Sequence, residues 1–292
     1  MTEKTPGGVD RAAGAPLTTG AAAPGDQRAS SDVAATSAPL LALHGVSREF
    51  GGRGRTTTAL DGVDIAVHEG RSVGIVGESG AGKSTLLRLL LGLDTPTSGQ
   101  VSYRGQTLDR RDRALLKRFR REVQVVLQDP RSSLDPRMTV AQIVAEPLQS
   151  LRIGADQRER SARVDEVLGW VGLDADARRK YPAQFSGGQR QRIAIARALA
   201  PSPKVLVGDE PVSALDVSVR QQIMELLARL RTELGLTLVL VSHDVAIVGQ
   251  LCEETVVLRG GRVEEAGKTR QVLTRPTSPY TRALLDAVPT LG

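Results

Sequence analysis

Arg71-Ser72-Val73-Gly74-Ile75-Val76-Gly77-Glu78-Ser79-Gly80-Ala81-Gly82-Lys83-Ser84-Thr85 is the stretch that decides the fold. It opens as a short apolar run of strand character and passes into a glycine-rich loop. Lys83 to Leu93 then reads as a helix. A loop with glycines at 77 and 82, between a strand and a helix, is the setting in which backbone N–H groups cradle phosphates. The glycines let the chain curl, and the helix N-terminus adds positive potential. Lys83 is placed to reach the β- and γ-phosphates of a nucleotide and Ser84 to ligand Mg²⁺. All of Gly77, Glu78, Ser79, Gly80, Ala81, Gly82, Lys83, Ser84 and Thr85 are expected to hold the nucleotide.

Further along, Val205-Leu206-Val207-Gly208-Asp209-Glu210 is an apolar strand that ends in two carboxylates. Catalytic groups of parallel sheets sit at the carboxyl ends of strands. Asp209 is therefore expected to hold Mg²⁺ and Glu210 to orient or deprotonate an attacking water. Leu238-Val239-Leu240-Val241 is a second continuously apolar strand, of the kind buried on both faces of a parallel sheet. The helical stretch between them, about residues 219–234, completes a βαβ rhythm. Val164, Val167, Leu168 and Val171 recur at helical spacing within a helical signal running from Val140 to Gly172. Near the N-terminus, residues 41–46 and 59–67 read as strands around a turn at Gly51-Gly52-Arg53-Gly54.

Composition limits the alternatives. The 292 residues carry a net charge of +6, 40% apolar residues and 2% aromatics. So few aromatics give no base-stacking platform, and the basic excess, including the run from Arg110 to Arg121, reads as solvated faces with no nucleic-acid partner. Cys252 stands alone, which excludes an intrachain disulfide and a multi-cysteine metal site, and it is expected to pack as a small apolar side chain. No segment approaches the roughly 20 apolar residues of a membrane span. Residues 1–39 are rich in Ala, Gly, Thr, Ser and Pro without apolar periodicity and are expected to form a disordered low-complexity tail.

A third motif narrows the class. Phe185-Ser186-Gly187-Gly188-Gln189 precedes a helix through Leu199. Here the chain resembles the ABC transporter ATPases, whose signature is Ser-Gly-Gly-Gln. The resemblance implies an α/β fold with a P-loop NTPase (RecA-like) core, an antiparallel β subdomain and an α-helical ABC signature subdomain. It places the ATPase domain at about 40–270, with the helical subdomain at about 130–185 and a C-terminal extension at 271–292. It implies that two chains pair head to tail, so that Ser186, Gly187, Gly188 and Gln189 of each cap the other's ATP. Carried over position by position, Gln128 is the Q-loop glutamine that touches Mg²⁺ and the water. Ser213-Ala214-Leu215-Asp216 is the D-loop, His243 the switch histidine on the γ-phosphate, and Phe50 the aromatic that stacks on adenine. Gly208 and Leu127 depart from the residues usual in the family.

Two stretches resemble the dipeptide, oligopeptide and nickel importer ATPases in particular: Leu127 to Met138 and Pro276 to Leu285. Glu210 to Val219 is closer to the F-type subunit of such importers. The resemblance implies a second ATPase subunit, two permease subunits, an extracytoplasmic binding protein and a place on the cytoplasmic face of the membrane. An exporter ATPase or a non-transport ABC protein remains the alternative. The latter usually carries a long coiled-coil insertion or two linked ATPase units, neither of which is visible here.

Overall fold

The computed structural model describes residues 38–52 and 55–287. The tail expected over residues 1–39 lies outside them up to residue 37, as do Arg53 and Gly54 of the expected turn.

Strand β1 (Leu41–Gly52) pairs antiparallel with β2 (Arg55–Val67). Both are longer than their sequence signal, because their far halves are exposed and carry no alternating apolar pattern. Next come β3 (Val73–Val76), helix α1 (Lys83–Leu90), β4 (Ser98–Tyr103) and β5 (Gln106–Thr107). β4 and β5 join β1 and β2 in one four-stranded sheet of order β2-β1-β4-β5. Helix α2 (Arg113–Glu122) holds most of the basic run; it buries Leu115, Leu116 and Phe119 and leaves most of its cations to solvent.

β6 (Val123–Val126) and α3 (Pro130–Ser133) lead to α4 (Val140–Ser150), α5 (Gln157–Trp170) and α6 (Gly187–Leu199). The helical signal from Val140 to Gly172 resolves into two helices. Leu151 closes the first, Arg152 and Gly154 take positive φ (56° and 84°), and Asp156 caps the second by accepting from the Glu159 N–H. The break permits α4 and α5 to fold back on one another and on α6. Their apolar faces, among them Ile143, Leu148, Val164, Val167, Leu168 and Ile193, merge in one core.

β7 (Val205–Asp209), α7 (Val217–Leu234), β8 (Thr237–Ser242), α8 (Val245–Leu251), β9 (Glu254–Arg259) and β10 (Arg262–Lys268) follow, then α9 (Thr269–Thr274) and α10 (Pro279–Asp286). The second sheet has the order β10-β9-β3-β8-β7-β6, with only the edge strand β10 antiparallel. β3 and β8 are buried along their whole length, as expected of parallel strands covered on both faces. Cys252 is buried among apolar neighbours, and burial pushes its thiol up to about 12.

Candidate nucleotide site

The parallel register explains where the site lies. Val76 pairs with Ser242, Gly208 with Leu240 and with Val126, and Asp209 with Val241. The carboxyl ends of β3, β6, β7 and β8 therefore share one edge, and each delivers one piece of chemistry there. β3 delivers the glycine-rich loop, β6 Gln128, β7 Asp209 and Glu210, and β8 His243. They surround a cavity of about 540 Å³, whose walls include Ser79, Gly80, Gly82, Lys83, Ser84 and Thr85 of the loop.

Gly82 caps α1 at φ 103°, a conformation that L side chains rarely adopt, and a Cβ there would lie 2.6 Å from the Ala59 carbonyl oxygen. The loop thus packs so closely on β2 that only glycine fits. Lys83 is buried, and its Nζ donates to the carbonyls of Gly77 (2.7 Å) and Glu78 (2.8 Å). Burial lowers its pKa, and the carboxylates of Glu210 and Asp209 act in the opposite sense. Asp209 is held above the usual carboxylate range by burial and by Glu210, while Lys83 pulls it down. Gly77, Glu78 and Ala81 shape the loop and do not line the cavity.

Glu210 is clasped on both carboxylate oxygens. Gln128 Nε2 donates to Oε2 at 3.1 Å, and His243 Nδ1 lies 3.0 Å from Oε1. Its backbone sits at φ 45°, uncommon for a residue with a side chain. Its N–H donates to the Val241 carbonyl, and its carbonyl accepts from the Ser213 hydroxyl at 3.0 Å. Ser213 Oγ also lies 3.3 Å from Gln128 Nε2. The family resemblance assigns Ser213 to the D-loop but carries no sign of this contact within the same chain, which the turn after β7 creates.

Two expected pieces lie apart from the cavity. Ser186 and Gln189 cap each other at the start of α6: the Gln189 N–H donates to Ser186 Oγ, and the Ser186 N–H to Gln189 Oε1 at 3.0 Å. Gly187 faces Leu215, and Gly188 is packed so closely on Val219 that a Cβ would lie 2.3 Å from its methyl. None of Ser186, Gly187, Gly188 and Gln189 lines the cavity. Phe50 does not line it either; it pairs with Thr57, two residues before Ala59 at the cavity wall. The remaining histidines stay outside the site; His44 Nε2 lies 3.1 Å from Ser102 Oγ.

Comparison with known proteins accords with this geometry. The family model described as ABC transporter matches residues 60–213. The oligopeptide transport ATP-binding protein OppF of Lactococcus lactis is 42% identical over 233 residues, which span 80% of this chain and 73% of the relative. The ATP-binding cassette MJ0796, solved as a dimer bound to ADP and Pi, superposes with a TM-score of 0.70 at 36% identity, over 79% of this chain and 99% of that one. The cbiO1 protein of Clostridium perfringens, part of the complex cbiONQ, gives 0.72 at 30% identity, over 82% and 92%. With its strand-end carboxylates, its phosphate loop and these likenesses, the chain belongs to the ABC transporter family of ATP-binding proteins.

Proposed function

We propose that this ATPase is one half of the paired motor of a peptide importer. A second ATPase subunit, two permease subunits on the cytoplasmic face of the membrane and an extracytoplasmic binding protein complete the machine. The observation that carries the pairing is a division in space. Lys83, Gln128, Asp209, Glu210 and His243 surround one cavity, and Ser186 to Gln189, a helix N-terminus suited to phosphate, do not line it. A second chain set head to tail brings its own Ser186 segment over this cavity. The name of the Lactococcus lactis relative and the stretches Leu127 to Met138 and Pro276 to Leu285 support peptides as cargo. Among the described residues no helix is long and apolar enough to cross a membrane, which fits attachment through permeases.

The donor set fits magnesium. Ser84, Gln128 and Asp209 offer hydroxyl, amide and carboxylate oxygens to one cavity, and hard cations take oxygen ligands. Held by these three residues, Mg²⁺ would neutralise negative charge on the phosphates. The chain's own residues do the rest. Lys83 exchanges the carbonyls of Gly77 and Glu78 for phosphate oxygens, and their negative charge offsets its burial. Glu210 accepts a proton from the attacking water, while Gln128 and His243 hold its carboxylate in line. Phe50 stacks on adenine.

The test is pairing. In sedimentation of the full chain carrying Glu210→Gln, with its co-expressed partner ATPase, ATP is expected to produce a stable dimer. Adding Ser186→Arg, which removes the cap from one of the two nucleotides, should weaken it at unchanged ATP affinity of this chain's own Lys83 loop. Dimerisation that ignores both ATP and Ser186 removes the head-to-tail arrangement. ATP-driven uptake of a labelled oligopeptide by the reconstituted complex tests the cargo.

A further inference from the structure

Phe50 does not stand alone on its strand. The guanidinium of Arg48 lies over its ring, with the central carbon 4.6 Å from the centroid. That guanidinium is gripped in turn by Asp94: Nη2 lies 3.0 Å from Oδ1, and Nε donates to Oδ2 at 3.2 Å. Such a two-point fork fixes the plane of an arginine as well as its place. Asp94 follows the end of α1 and is mostly shielded from solvent, and its Oδ1 also accepts the Thr95 N–H. Two more bonds stitch the same segments. The Thr97 N–H donates to the Ser47 carbonyl at 2.8 Å, and the Glu49 N–H to Thr97 Oγ1 at 3.0 Å. The end of β1 is therefore tied to the chain leaving the helix whose other end forms the phosphate loop.

Phe50 is 41% exposed. A large exposed aromatic ordinarily samples several rotamers, and ordering one on binding costs free energy. Here a cation held from below removes part of that freedom before any ligand arrives and leaves the rest of the ring open. We propose that Arg48 is a positioning residue for the nucleotide base: fixed by Asp94, it preorients Phe50 for stacking on adenine. This rests on the reading of Phe50 as the adenine contact. It assigns Arg48 and Asp94 to base recognition, at a distance from the phosphates.

The experiment measures ATP and tripolyphosphate binding by titration calorimetry, with magnesium, in the full chain carrying Glu210→Gln to prevent turnover. Arg48→Met and Asp94→Asn are each expected to weaken ATP binding about two- to tenfold, the range for ordering a side chain. Tripolyphosphate, which has no base, should bind equally to all variants. Arg48→Lys should recover part of the loss, since an ammonium also favours the ring face. In a double-mutant cycle, Arg48→Met should add nothing to Phe50→Ala. If Phe50→Ala weakens ATP binding and Arg48→Met and Asp94→Asn do not, the positioning role is overturned while the stacking stands. If Phe50→Ala leaves ATP binding unchanged, the stacking falls and the positioning role with it. A loss shared by tripolyphosphate, or additive with Phe50→Ala, would assign Arg48 to the phosphates or to the fold.

Discussion

At the scale of single residues, Glu210 is the point where the site is most constrained. Its backbone is at φ 45°, and its side chain is held by Gln128 and His243. Glu210→Gln keeps the shape and removes the base proposed for the attacking water, so turnover should fall about 10²–10⁴-fold while ATP binding persists. A variant that hydrolyses ATP at near the parent rate would remove the role given to Glu210. Gly208, where the family usually has a larger apolar residue or Ala, has a local reason. A Cβ at that position would lie 2.9 Å from Leu240 Cδ2 and 3.0 Å from Pro211 Cγ. Overpacking costs about 1–3 kcal/mol, so Gly208→Val should lower the urea midpoint by a corresponding amount at unchanged slope.

At the scale of elements, two attachments stand out. Arg197 on α6 is largely buried and donates to the Ser133 carbonyl of α3, tying the helix that starts at the signature to the segment that follows Gln128. Burial lowers its pKa, and Glu146 acts the other way. Arg197→Met leaves that carbonyl without its donor, at a cost of about 1–3 kcal/mol. Hydrogen exchange should quicken in residues 130–134 before the rest of the chain. The second attachment is Glu265 on β10. It accepts the Thr277 N–H and hydroxyl at 2.9 Å each and the Ser278 N–H at 3.1 Å, which anchors the start of α10. Partial burial opposes its charge, yet these hydrogen bonds hold it at about 2. A carboxyl with a folded pKa below its unfolded value of about 4.3 stabilises above that value and loses its contribution as pH falls toward 2. Protease cleavage near residue 277 should therefore rise between about pH 4 and 2, and Glu265→Gln should show raised cleavage at neutral pH.

At the scale of the whole molecule, the site is assembled from strands that are far apart in sequence. Gln128, Glu210 and His243 meet because β6, β7 and β8 lie side by side in parallel register. The sequence marks each as a strand-end polar residue; it gives no sign that Gln128 Nε2 and His243 Nδ1 take opposite oxygens of one carboxylate. In the same way, the insertion of β3 between β8 and β9 depends on which faces the helices cover, a matter of packing over long separations. The pairing prediction belongs to this scale. If Ser186 acts across two chains, mixing a Lys83→Ala chain with a Ser186→Arg chain should leave one intact composite site, and titration should find at most one tightly capped ATP per pair.

The sequence by itself determined the phosphate loop, the carboxylates that end β7, the helix that opens at Ser186 and the family. Each is written in a short contiguous stretch, where backbone preference and side-chain type act locally. The tertiary structure decided the break between α4 and α5, the clasp on Glu210, the contact of Ser213 with Gln128, and the grip of Asp94 on Arg48 beneath Phe50. These join residues that share no local pattern, and only the packing of sheet and helices brings them within hydrogen-bond or stacking distance.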